Sequence, residues 1–172
     1  VGATTVTITP AGGALTENQY EDGIIFINDV DGEGHMYAIR SHPAADAAAA
    51  VVLTLHETVR EALTSSSQSG IVENDYKDVE IYDADDIDGP ALGVAPAEVA
   101  NDEYFWLQTS GRAAVLIQGT VVLGDGVEAS QTTDGAVCLH DVSGDTDQAP
   151  LGTCAGIIAV DTDYGYINLQ IV

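Results

Sequence analysis

Apolar and polar residues alternate one by one along much of this chain. The opening "TTVTITP" sets Val6 and Ile8 between threonines. A period of two built from β-branched residues predicts a strand. "GIIFIN" (residues 23–28) and "HMYAIR" (35–40) flank the polar "DVDGEG" and predict a hairpin with a longer loop. "KDVEIYD" (77–83) alternates Val79 and Ile81 with polar neighbours and reads as another strand, and the Asp-rich "DADDIDGP" (83–90) reads as a loop.

The second half repeats the pattern. "EYFWLQT" (103–109) and "RAAVLI" (112–117) predict two strands joined at Ser110-Gly111. "TVVLGDGVEAS" (120–130) turns at Gly124-Asp125-Gly126, and "GAVCLHD" (135–141), "AGIIAV" (155–160) and "YGYINLQIV" (164–172) follow. One stretch carries two periods. In "ADAAAAVVLTLHETVREALTSS", Val52, Leu55, Val59, Ala62 and Leu63 lie at helical spacing, yet "VVLTLHETV" also alternates. A strand over 50–57 followed by one helical turn through "VREAL" is the expectation; a helix across the whole stretch is the alternative. Short strands at steady spacing with Gly and Asp turns predict an all-β fold. The expected form is a compact β-barrel or β-sandwich of short antiparallel strands, with at most one or two short helices. Length suits one domain, 1–172, with an N-terminal lobe (1–88) and a C-terminal barrel-like lobe (89–172) as a finer division.

Charge changes the picture more than length does. Twenty-eight Asp and Glu stand against four Lys and Arg, a net charge of −24. Disordered chains of high charge are poor in apolar residues, whereas here 45% of residues are hydrophobic. The chain is therefore expected to fold, with an acidic exterior. Near-absence of Lys, with Asp outnumbering Glu, is what a surface adapted to high salt looks like. Phosphate neutralisation needs Lys and Arg, so nucleic acid is excluded as a partner, and anionic membrane surfaces on the same ground. No apolar run approaches the ~20 residues that span a bilayer, and no signal-peptide pattern is present.

Candidate chemistry is sparse. Cys138 and His140 form C-x-H, with Cys154 at a distance. Three readings stay open: soft metal ligands, a disulfide between neighbouring strands, or two buried free thiols. Asp29, Asp31 and Glu33 alternate beside glycines and resemble part of a calcium loop, but the twelve-residue pattern is incomplete. They are the candidate ligands for a cation such as Ca2+ or Mg2+; otherwise no cofactor is expected. "DADDIDG" fails the same pattern. His42 and His56 are isolated, and no nucleophile or phosphate-loop motif occurs, so no enzymatic activity is expected. In "YFWLQT", Phe105 and Leu107 alternate with Tyr104, Trp106 and Gln108. The Tyr104/Trp106 face is packed by the chain's own core, by a neighbouring subunit or against a sugar.

These last residues carry a resemblance. "YFWLQTSGRAAVLIQGTVVLGDGVEAS" (104–130) is similar to a stretch of the capsid decoration, or cement, proteins of tailed viruses. There a "YFWVQT-x-G" strand-turn precedes "A-x-VL-x-x-GTVV-x-G". "INDVDGEGHMYAIRSHPAA" (27–45) and "GIIAVDTDYGYINLQIV" (156–172) also resemble the family pattern. The resemblance implies a structural subunit on the exterior of an icosahedral virion. It would bind the major capsid protein and itself, often as a homotrimer at local threefold positions. The Thr-rich first strand, with Val6 and Ile8, would contact the shell or a neighbour, and Tyr104, Trp106 and Arg112 are the other interface candidates. A vertex turret, spike or carbohydrate-binding adhesin is the alternative. The acidity and two Cys depart from the family and imply a virus of a salt-loving host such as a haloarchaeon.

Self-repulsion gives a first prediction. The Debye length falls from about 10 Å at 0.1 M salt to about 3 Å at 1 M, so the melting temperature is expected to rise between low and molar NaCl. A flat or falling trend would contradict adaptation to salt.

Overall fold

A computed structural model describes residues 1–85, 89–141, 148–156 and 161–171. The chain forms two compact units, Val1–Val79 and Glu80–Val172. All ten elements are short strands, and no helix occurs among the described residues, so the fold is all-β.

Unit 1 holds β1 (Thr5–Ile8), β2 (Ile24–Asp29), β3 (Met36–Ser41), β4 (Val51–Leu55) and β5 (Gln68–Val72) in one sheet, in the order β1-β4-β3-β2-β5. Alternation builds its core. Ile25 and Ile27, Tyr37 and Ile39, and Val51, Leu53 and Leu55 all face one side and are buried. Each such Ile or Leu contributes about 1.5–3 kcal/mol relative to exposure. The β2–β3 hairpin pairs Ile24 with Ala38 and Phe26 with Met36, and its loop turns through Val30, Gly32 and Gly34, all at positive φ. Register shifts between Ile27 and Asp29, and between Ile39 and Ser41, break the ladders. Such bulges bend a sheet and raise its twist. The two edge strands, β1 and β5, both line a single cleft of about 740 Å³.

Unit 2 closes on itself. β6 (Ser110–Ile117), β7 (Gly126–Ala129), β8 (Ala136–Leu139), β9 (Gly152–Cys154) and β10 (Asp163–Gln170) form a closed barrel in the order β10-β6-β8-β7-β9. β6 and β10 share an eight-residue antiparallel ladder. β6 meets β8 in a short parallel pair, Leu116 with Ala136 and Ile117 with Val137, which departs from the expected all-antiparallel pairing. Small and branched residues fill the narrow interior, among them Ala113, Val115, Ile117, Val127 and Ile167.

Three sequence-based expectations are corrected, and two strands were not expected. No helical turn forms through "VREAL": Val59 is buried and its N–H donates to the Ala3 carbonyl at 2.8 Å, which extends the β1–β4 side of the sheet instead. "KDVEIYD" is not a strand. "EYFWLQT" does not pair with "RAAVLI": β10 takes one edge of β6 along its whole length, β8 meets the other only at Leu116 and Ile117, and the aromatic segment pairs instead at Gln108 with Val94. β5 ("QSGIV") and β9 ("GTC") are strands that the pattern missed, since Ser and Gly give little local signal and cross-strand pairing supplies the order. Residues 157–160 of "AGIIAV" and 86–88 of "DADDIDGP" lie outside the described residues.

Barrel closure depends on one close approach. A Cβ at Gly152 would stand 2.2 Å from the carbonyl oxygen of Asn168, across the β9–β10 pair. Backbone cannot yield there as a side chain can. Gly152→Ala is expected to destabilise the protein by about 1–3 kcal/mol, read as a lower midpoint in urea by circular dichroism. An unchanged midpoint would show that β9 is not needed to close the barrel.

Candidate interaction surface

The aromatic segment leaves a turn at Asn101-Asp102 and runs outside any strand until Gln108. Gln108 and Val94 exchange backbone hydrogen bonds of 2.9 and 2.8 Å. The Gln108 side-chain amide donates to the carbonyls of Ser110 at 3.0 Å and Arg112 at 2.9 Å. Gly93 allows the closest contact at this anchor, for a Cβ there would lie 3.0 Å from Cβ of Leu107. Gly111 follows at φ +80°. The expected turn at Ser110-Gly111 is thus a bend held by Gln108 at the entrance to β6, not the end of a hairpin.

The side chains follow the expected alternation only in part, since Phe105 is exposed and Gln108 is half-buried like Leu107. Phe105 is 37% exposed and Leu107 is half-buried, while Trp106 is 89% exposed and Tyr104 fully exposed. The core of unit 2 therefore does not pack the Tyr104/Trp106 face. The pair forms a ridge beside a shallow hollow lined by Pro96, Ala97 and Val99, with Glu98 and Glu103 as its charged residues. Arg112 lies on the outer face of the barrel, its guanidinium 5.8 Å from the Tyr166 ring centroid. An exposed contact of this kind contributes about 0.5–1 kcal/mol.

The remaining interface candidates lie in unit 1. Val6 and Ile8 pack half-buried against its core and line the cleft together with the exposed Thr7. The three acids of the β2–β3 loop do not converge. Asp29 Oδ1 accepts from the Val30 N–H at 2.9 Å, and Asp31 Oδ2 accepts from the Thr64 hydroxyl at 2.9 Å. Among the described residues no group of three or more His, Cys, Asp or Glu is arranged to hold a metal ion. His42 is buried with both ring nitrogens engaged: the Tyr20 N–H donates to Nε2 at 3.0 Å, and Nδ1 donates to the Pro43 carbonyl at 2.9 Å. His56 Nε2 lies 3.1 Å from Asp22 Oδ1.

Cys138 and Cys154 are free. They sit on β8 and β9, which are separated by β7. Strands two apart lie about 9–10 Å from each other, beyond the Cα separation a disulfide spans. The Cys154 thiol donates to the Gly156 carbonyl at 2.9 Å inside the barrel core.

His140 belongs to a different cluster, one the sequence did not suggest. Its Nδ1 lies 2.5 Å from Oε2 of Glu128, which is only 4% exposed. Glu128 alternates in β7 with the core residues Val127 and Ala129 and so lies on the outer face of the barrel. The structure covers that outer face: the Gly135 N–H donates to the Tyr82 carbonyl at 2.9 Å and the Ala84 N–H to Asp134 Oδ1 at 3.0 Å. The Tyr82 hydroxyl is buried with no hydrogen-bond partner among the described residues. Burial, then the charge of Glu128, then Cys138 raise the Tyr82 pKa. Burial and then Glu128 likewise push up the Cys138 thiol, against a smaller lowering by a backbone hydrogen bond at Gln131.

Both acids hold their protons more tightly in the fold. Their contribution to stability is present below the ordinary Cys and Tyr pKa values, about 8.5 and 10, and is lost as pH rises through the higher folded values. Alkaline pH is thus expected to destabilise unit 2. Tyr82→Phe removes an unpaired buried hydroxyl, so it is expected to raise stability at neutral pH by about 1 kcal/mol and to blunt the alkaline loss. Urea titrations at neutral and alkaline pH test this; destabilisation at neutral pH would show that the hydroxyl has a partner.

Compared with known proteins, the chain matches no family model, no curated protein and no solved structure.

Proposed function

We propose that this protein is a structural virion subunit that binds the outer surface of an icosahedral capsid and reinforces it, a decoration or cement protein. The observation that carries the reading is the Tyr104–Trp106 ridge: two large aromatic side chains uncovered by their own unit on an acidic all-β body. Aromatic residues are enriched at the centres of protein interfaces and charged residues are depleted there. The likeness of residues 104–130 to capsid decoration proteins points the same way. The partners are the major capsid protein and further copies of this chain, as a homotrimer. The role is binding rather than chemistry. A standard interface buries about 1,600 Å² in total, and a subunit that binds only the assembled shell stabilises it by mass action. The acids face the saline medium.

One observation favours a second reading. An exposed Tyr-Trp pair beside a hollow that contains Glu98 and Glu103 also suits a sugar, as in a turret or adhesin at the vertices. Quantifying and locating the chain in purified particles separates the two. Decoration predicts many copies spread over the shell faces; confinement to vertices supports the adhesin, and absence from particles overturns both.

A further inference from the structure

The cleft between β1 and β5 has a property rare on this molecule. None of the residues that line it carries a charge, although the chain holds 28 acids. Its floor is apolar, with Val6, Ile8, Leu15, Ile27 and Ile71. Its walls carry hydroxyls, among them Ser69 on exposed β5. Both flanking strands are sheet edges with one unpaired side, a kind of surface that invites a partner. Its volume, about 740 Å³, lies within the range of sites that bury a compact apolar group.

The chain also carries a matching projection. Tyr104, Phe105, Trp106, Leu107 and Gln108 form an uncharged run, and Tyr104 and Trp106 stand free of their own unit. We propose that the Tyr104–Trp106 ridge of one copy docks in the β1/β5 cleft of another. Charge selects this pairing. Two molecules of net charge −24 repel across most of their surfaces, whereas the ridge residues and the cleft lining are themselves uncharged, with carboxylates beside them: Glu98 and Glu103 next to the ridge, and Asp31 and Glu73 bonded to the cleft residues Thr64 and Gln19. The cleft hydroxyls can accept from the Trp106 indole N–H and bond the Tyr104 hydroxyl, as buried Trp and Tyr require. Because ridge and cleft are different surfaces, the contact is head-to-tail, and it gives a ring when the rotation closes. Salt strengthens it by screening Glu98, Glu103 and the remaining acids. The inference rests on the self-association in the proposed function and not on the capsid, so it is tested on the protein alone.

Trp106 is the only Trp in the chain, so its fluorescence reports on the contact directly. In molar NaCl, wild-type protein is expected to sediment as larger species with rising concentration, while the Trp emission shifts to the blue. Trp106→Ala and Ser69→Glu change exposed positions and are expected to keep the wild-type circular dichroism and melting temperature. Each is expected to weaken association about 30-fold, the equivalent of the 2 kcal/mol of an interface hot spot. Each variant retains one intact surface, so mixing the two is expected to give a one-to-one heterodimer. Wild-type protein that stays monomeric overturns the proposal, as does a blue emission independent of concentration. Either variant associating like wild type, or a mixture that forms no heterodimer, overturns it too. Survival of self-association in a protein absent from particles would refute the capsid role while leaving this contact standing.

Discussion

Twenty-eight carboxylates against four Lys and Arg make repulsion between copies the governing interaction of this molecule. At 4 Å two unit charges in water repel by about 1 kcal/mol, and the acids lie along the whole chain. Salt removes most of that cost but supplies no specific attraction. Contacts between copies, or with a partner, must come from surfaces that the acids leave alone. Two surfaces stand out as poor in charge: the Tyr104–Trp106 ridge, with Glu98 and Glu103 beside it, and the cleft between β1 and β5.

The two units arrive at those surfaces by different solutions to the same problem. Five short strands leave two edges. Unit 2 removes them by closing its barrel through β9 and β10, which requires Gly152 at the crossing. Unit 1 has the same number of strands, but β1 and β5 remain edges on either side of an uncharged cleft. Closure leaves unit 2 free to hold the aromatic segment at a fixed base, through the Val94–Gln108 bridge and the Gln108 amide. The ridge is thus an ordered projection rather than a loose end.

Much of the fold was legible in the sequence because alternation is a local signal. β2, β3, β4, β6, β8 and β10 all fall where apolar residues recur at every second position. The misses have physical causes. "GTC" and "QSGIV" become strands because neighbours pair with them, which no local pattern records. "EYFWLQT" alternates without joining a ladder, and its one backbone pairing, Gln108 with Val94, leaves no local sign. Burial of Glu128 was illegible for a similar reason: its cover, Tyr82, lies far away in sequence. In the aromatic segment Tyr104 and Trp106 are the most exposed, but Phe105 is exposed as well and Gln108 is as covered as Leu107, because the segment is not a strand. Exposure depends on the whole three-dimensional arrangement, and only coordinates resolve it.

Hydrogen–deuterium exchange in molar NaCl, comparing dilute with concentrated protein, tests most directly the claim that uncharged surfaces alone join copies of this molecule. Concentration-dependent protection is expected in two places, around residues 104–108 and along the β1 and β5 edges. Protection spread over the acidic faces, or confined to the outer face of the barrel around Arg112 and Tyr166, would contradict it.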